Sequence, residues 1–342
     1  MISKKSIKNK LSGSQNYLTT WIKSFSGSLT ILCMIILFLL PFFSQEGEYV
    51  NYFLPEFTFF FIYAILAASW DIVTGLAGQA NFGQSIFFGL AGYMGGFLLL
   101  EWGFNPWMAI IVSVIGATFI GFLVGIPSLK IKGPYLMLVT LTVSFIILRL
   151  IAISPEGPPF YGHEGMSSIP PLTDDPIIEY FILYISLIIS FIIMMWIARS
   201  KFGTILKSIR DDEIGSEASG INTMKYKLYA FMLCALFSGL AGVYFALHYH
   251  VVNPSGNLSM GVSFLAIIMA ALGGIGTIRG SLVGAFFYVF LEFILLEIGF
   301  ELDLVRILFS IILILVIRFA SRGILAPLLD RLRELWDVLL GR

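Results

Sequence analysis

From Gly75 to Leu99 the chain reads GLAGQANFGQSIFFGLAGYMGGFLL. The segment is apolar enough to enter a lipid bilayer, yet it carries Gln79, Asn81 and Gln84 and is crowded with glycine. Glycine weakens a helix, and an amide in hydrocarbon is costly unless it is hydrogen-bonded. Irregular backbone at membrane depth is tolerated only where protein buries it or where it lines a wet cavity. The pattern therefore predicts a helix broken over Gly75–Gln84, with the three amides satisfying backbone groups that the break leaves open. Asp71 lies just upstream in the same apolar run, and an acid inside a membrane segment faces a cavity or a partner. For Asp71, Gln79 and Asn81, both cavity lining and buried polar glue are open at this level. Downstream, Gly89, Gly92, Gly95 and Gly96 form a small-residue face that lets a second helix approach closely.

The rest of the chain has the composition that such a segment requires. Of 342 residues, 58% are hydrophobic and 12% charged, with a mean hydropathy of +0.92. A soluble domain carries about a quarter charged residues. Crossing the hydrocarbon core takes about 20 apolar residues per helix. Such runs can be drawn at 27–43, 57–76, 84–100, 107–126, 134–153, 177–197, 228–248, 261–275, 280–297 and 304–320. They are continuous rather than alternating, which favours helices over a barrel. The expected fold is an all-α, polytopic transmembrane helical bundle of about ten membrane helices.

Cations set its orientation. If every run crosses once, 19 of the 21 Lys and Arg residues fall on one side, and the opposite loops are acidic. The positive-inside rule then places both termini in the cytoplasm. The short run 261–275 is kept as a span, because making it re-entrant would throw the arginine-rich C-terminus outside. Lysines before the first run imitate a secretory signal, but no small-residue cleavage pattern follows it, so an uncleaved helix is expected. The resulting division is a cytoplasmic N-terminal segment, 1–26, a membrane domain, 27–320, and a cytoplasmic amphipathic tail, 321–342.

Several chemistries are excluded. Net charge is zero, which gives no field for nucleic acid. Cys33 and Cys234 lie in apolar runs and read as small hydrophobes. His248 and His250 are two apart, on different sides of a helix, and His163 stands alone, so no metal cluster is expected. No GxxxxGK[ST] phosphate loop occurs, and no nucleophile–base pair is visible. The chain is not expected to be an enzyme or to hold a cofactor. Energy for transport must come from an ion gradient or from a separate motor.

The longest basic-side loop, Ser200–Lys227, predicts one short amphipathic helix from Thr204 to Ser219, with Ile205, Leu206, Ile209 and Ile214 on one stripe and Gly220 as its stop. Its acidic Asp211-Asp212-Glu213 run disfavours an anionic lipid surface and favours a groove on another protein. On the other side, the Pro- and Gly-rich loop Ser154–Pro176 reads as a solvated cap or as a docking surface offering His163, Glu164, Asp174 and Asp175. A second glycine cluster, ALGGIGTIRGSLVGA from Ala271 to Ala285, separates the eighth and ninth runs, with Gly276, Gly280 and Gly284 suited to close packing.

Four blocks together carry a resemblance: SWDIVTGLAGQANFGQSIFFGLAGY (69–93), GPYLMLVTLTVSFI (133–146), FGTILKSIRDDEIGSEASGIN (202–222) and ALGGIGTIRGSLVGA (271–285). Over about residues 55–320 the chain resembles the membrane subunits of bacterial and archaeal ABC importers for branched-chain amino acids, and specifically the longer of their two permeases. The resemblance implies a prokaryotic inner or plasma membrane, a second homologous permease as partner, two cytoplasmic ATPase subunits that use the ATP, and an extracytoplasmic substrate-binding protein. It implies that 204–221 is the ATPase-coupling segment, with Thr204, Lys207, Arg210, Asp211, Asp212, Glu213, Glu217, Ala218 and Gly220 as its residues. Glu217-Ala218 and Gly220 stand where the family has its EAA–Gly element, although this chain reads EAS. Asp71, Gln79, Asn81, Gln84, Thr140 and Thr142 become candidates for the translocation path. Gln84 occupies a position where the family often has histidine, as in GQLSLGH. Urea and short-chain amide importers share these blocks and form one alternative. The other is an ion-driven transporter or channel, for which Asp71 and Glu292 would have to supply a carboxylate relay.

Overall fold

The computed structural model describes residues 35–42, 48–128, 131 and 134–319, most of them helical. The expected 1–26 segment, the 321–342 tail and most of the first apolar run lie outside the described residues. Helix α1, Glu48–Asp71, continues into a π-helical turn, Ile72–Leu76, after which regular structure stops until α2 begins at Gln84. The predicted break is therefore present. Helix α2 ends at Leu100, and α3 (Pro106–Ser128) and α4 (Pro134–Ala152) follow.

A long loop containing strand β1 (Met166–Ser167) leads to α5, Pro176–Arg199. Helices α6 (Lys201–Asp211) and α7 (Glu213–Ala218) precede the long α8, Thr223–Tyr249. Strand β2 (Val251–Val252), α9 (Pro254–Asn257), α10 (Met260–Gly273), α11 (Ile278–Glu297) and α12 (Leu302–Phe319) complete the described chain.

Among the described residues, seven helices are long and apolar enough to cross a membrane, and α2 is a shorter apolar helix of 17 residues. The short run 261–275 gains its length from α9, so that Pro254–Gly273 forms a candidate span of 20 residues. Burial sorts these spans: 89% of the Leu54–Leu76 window and 72% of that in α8 lie inside the protein, against 22% for α4. A helix that is apolar all round is a buried one, and α1 has this character. The outward face of α4 instead carries Leu138, Phe145, Ile146 and Leu150, all exposed, as suits lipid or another membrane helix.

Close packing rests on the glycines. Helix α8 lies against both α2 and α3. A methyl group added at Gly242 would overlap the Phe88 carbonyl of α2, and one at Gly239 would overlap Ala117 of α3. Between α10 and α11, Gly273 meets Gly280 and Gly284 meets the Met269 carbonyl with no room for a side chain. Gly280 and Gly284 thus pack as their spacing suggested, whereas Gly276 makes a turn with φ +84°. Gly242→Ala is expected to lower stability by about 1–3 kcal/mol, because the opposing group is rigid backbone. Thermal unfolding of the detergent-solubilised protein checks this.

At the end of α2 away from the break, the 153–175 loop is no free cap. Strands β1 and β2 pair antiparallel, Met166 opposite Val252. The Ile169 amide donates to the His250 carbonyl (3.1 Å), and Met166, Ile169 and Leu172 are buried. Tyr161 donates to Glu101 at the end of α2, and that bond holds the phenol above its ordinary pKa.

Candidate functional site

The site is assembled around the break after α1. Its backbone groups find side-chain partners one by one. The Trp70 indole donates to the Asn81 carbonyl (2.7 Å), and the Thr74 hydroxyl donates to the Gln79 carbonyl (3.1 Å). The Gly83 amide donates to Asn81 Oδ1 (2.9 Å), and the Phe82 amide donates to the Thr140 hydroxyl of α4 (3.0 Å). Gln84 is the hub. Its Oε1 accepts from Asn81 Nδ2 and from the Cys234 thiol, both at 3.1 Å, and its Nε2 donates to the Ser69 hydroxyl (2.7 Å). Pairing these buried polar groups is what allows such a break at membrane depth.

Asp71, Gln79, Asn81, Gln84 and Thr140 are thus all buried within this chain, with Asp71, Gln84 and Thr140 at 0% exposure. Thr142 is placed differently. It lies on the exposed face of α4 beside Phe145, Ile146 and Arg149, and its hydroxyl turns back to the Leu138 carbonyl. Sequence reading missed Ser85, Ser144 and Ser263, which join α2, α4 and α10: the Ser85 amide donates to Ser263 Oγ (2.9 Å), and the Ser85 and Ser144 hydroxyls are 2.7 Å apart. Their signal was a hydroxyl inside an apolar run, but serine is common enough there to be overlooked.

Asp71 and Arg210 close the break on the side of the second glycine cluster. The Gly276 amide donates to Asp71 Oδ1 (2.6 Å), and Asp71 Oδ2 has no hydrogen-bond partner among the described residues. Arg210, on α6, donates from Nη1 to the Gly75 carbonyl at the end of the π turn (2.9 Å). A cation at a helix C-terminus also matches the negative end of the helix dipole.

The 204–221 segment departs from the single helix expected. Asp212 adopts an extended conformation (φ −154°, ψ 101°), splits the segment into α6 and α7, and accepts from the Gly215 amide (3.0 Å) as the cap of α7. Aspartate favours this position because its side chain competes for the amides that a new helix leaves unpaired. The bend changes the stripe. Leu206 and Ile209 are buried as expected, Ile205 is half-buried, and Ile214 is turned outward with 74% exposure. Gly220 ends α7 at φ +83°, with its amide donating to the Glu217 carbonyl and that of Ile221 to the Ser216 carbonyl, as in a Schellman stop.

Two acids of this segment are engaged within the chain. Glu213 pairs with Lys227 of α8 at 2.6 Å, where the lysine is 2% exposed. Glu217 accepts from the Thr223 hydroxyl (2.7 Å). The Ser208 and Ser216 hydroxyls, 3.0 Å apart, brace α6 against α7. Thr204, Arg210, Asp211, Asp212, Ile214, Glu217, Ala218 and Gly220 present an exposed face, and Lys207 is half-buried.

On the other side, His163, Glu164, Asp174 and Asp175 are exposed, although Asp175 also caps α5 by accepting from the Ile177 amide (2.9 Å). No group of three metal-binding side chains occurs among the described residues.

A family model described as a branched-chain amino acid transport system permease component matches residues 54–317. The chain belongs to this permease family. It is 27% identical over 248 residues to the high-affinity branched-chain amino acid permease protein LivM of Escherichia coli, covering 63% of this chain and 57% of that one. The probable LivM permease of Methanocaldococcus jannaschii is 26% identical over 317 residues, covering 78% and 91%. Similarity extends to the permease LivH of Escherichia coli, at 22% identity over 245 residues, covering 65% and 78%. The permease thus spans a little over half the length of the Escherichia coli LivM that it matches. No solved structure matches the chain.

Proposed function

We propose that this permease chain is the membrane-spanning subunit of an ATP-driven importer of branched-chain amino acids in the prokaryotic inner membrane. Ten membrane helices with both termini in the cytoplasm, the 27–320 membrane domain and the flanking 1–26 and 321–342 segments belong to the same reading. The substrate class is supported by the names of the relatives above, each a branched-chain amino acid permease. Similarity to both LivM and LivH supports a second, homologous permease as partner.

The observation that carries the mechanism is the α6–α7 elbow. It is polar, capped at both bends and strapped to α8, yet it leaves Ile214 exposed among acidic side chains. Such a surface suits a protein groove better than an anionic lipid layer. The groove is assigned to a cytoplasmic ATPase subunit, with Thr204, Lys207, Asp211, Asp212, Glu213, Glu217, Ala218 and Gly220 forming or supporting the contact and Arg210 coupling it to the Gly75 carbonyl. Hydrolysis takes place in that partner, and this chain uses no cofactor of its own. Substrate released by an extracytoplasmic binding protein, docked near His163, Glu164, Asp174 and Asp175, would pass between the two permeases. Asp71, Gln79, Asn81, Gln84 and Thr140 then shape the path from behind its wall, while Thr142 is exposed on α4.

Proteoliposomes containing both permeases, the ATPases and the binding protein test this. Leucine uptake is expected to require ATP and both ATPase subunits and to ignore a protonophore. Uptake that persists without the ATPases and collapses with the protonophore would establish the ion-driven alternative instead.

A further inference from the structure

Arg210 brings three elements to one point. Its Nη1 donates to the Gly75 carbonyl (2.9 Å), and its stem lies so close to Gly78 that a Cβ there would meet Arg210 Cγ at 2.7 Å. The same guanidinium holds Asp211, with Nε and Nη2 each 2.9 Å from Oδ1. One turn back along the broken helix, Asp71 accepts from the Gly276 amide in the α10–α11 turn. A Cβ on Gly75 would lie 2.6 Å from that amide, and one on Gly276 would lie 3.2 Å from Arg210 Nη1. Elbow, break and turn therefore meet through the Arg210 and Asp71 side chains, with no room even for a methyl group at Gly75 or Gly78, and tightly packed contacts of this kind transmit strain.

The attachment points differ. The elbow is strapped to α8 through Glu213–Lys227 and Glu217–Thr223. Its hydrogen bond to the break, in contrast, runs through the exposed, charge-assisted contact of Arg210, whose other two nitrogens, Nε and Nη2, are held by Asp211 on the outer face. A partner that draws Asp211 away changes the orientation of the group that grips Gly75.

We propose that Arg210 is the positioning residue through which displacement of the α6–α7 elbow reaches the broken helix and, through Asp71 and Gly276, the α10–α11 turn. This rests on the proposed function, because it takes the elbow to be the part that the ATPase moves. A charge-assisted hydrogen bond is worth enough for its loss to change uptake about tenfold or more.

The test uses the full complex in proteoliposomes with a spin label on Ile275→Cys, an exposed position beside Gly276, in a background with Cys33 replaced. In the complex with native Arg210, ATP is expected to change the label's mobility. Arg210→Met keeps the packed stem and removes the donor. It is expected to retain the ATPase subunits on co-purification, to lose about tenfold or more of the uptake, and to abolish the label's response. Arg210→Lys, which can still donate to Gly75, is expected to restore part of both.

Uptake in Arg210→Met within about twofold of the native level, well under the loss of one such bond, would overturn the proposal. So would a label response that survives in that variant, or loss of the ATPase subunits from it, which would make Arg210 a docking residue. Should Arg210→Met fail to fold, an ATP-insensitive label beside native Arg210 still overturns it. A native complex that recruits no ATPase fails the parent reading instead.

Discussion

Glu213→Leu is expected to destabilise the protein by about 3–5 kcal/mol, the cost of leaving one member of a buried ion pair without its partner. Lys227 sits at the first turns of α8 with 2% exposure, and Glu213 Oε2 is 2.6 Å from its ammonium. Removing the carboxylate leaves a cation enclosed by protein. The matched double variant Glu213→Leu with Lys227→Met should regain most of the loss, since both charges then disappear together. Thermal unfolding of the purified chain, run as a double-mutant cycle, measures both. A single variant as stable as the native protein would mean that water reaches Lys227 and that the strap between α7 and α8 is dispensable.

Ile214→Asp is expected to act on assembly and leave stability alone. The side chain is 74% exposed, so its loss opens no cavity in this chain. If α7 inserts into an ATPase groove, a carboxylate there must be desolvated on docking. Placing it at the centre of such a contact should weaken binding by about 2 kcal/mol, roughly thirtyfold. Co-purification of the ATPase subunits at graded concentrations checks this, with unfolding temperature as the control. Unchanged recruitment would remove α7 from the contact and return attention to the exposed face of α6.

The two variants lie next to each other in sequence and act through opposite surfaces. That contrast shows where sequence reading reached its limit. One continuous helix would put Ile205, Leu206, Ile209 and Ile214 on a single stripe, yet of the four only Leu206 and Ile209 are buried. One extended residue, Asp212, restarts the helix and changes the face on which Ile214 falls. The capping signal was present as an aspartate three residues before Gly215, but an acidic run offers several such candidates and only packing selects among them. Thr140 and Thr142 teach the same lesson. Both are path candidates by sequence, yet two residues along a helix is about half a turn, so one serves the break and the other the outer face of α4.

Hydropathy and local backbone preference were enough to establish an all-α, polytopic class, the break after Asp71 and the glycines Gly280 and Gly284 that pack α11, because each depends on residues near in sequence. The polar network around Gln84, the Arg210–Gly75 bond and the Asp71–Gly276 clasp were decided only in three dimensions. Apart from Asn81, three positions from Gln84, their partners lie 15 to 205 positions away. A buried amide, carboxylate or guanidinium must find a hydrogen-bond partner, but nothing in its own neighbourhood specifies which distant backbone group will be brought within reach.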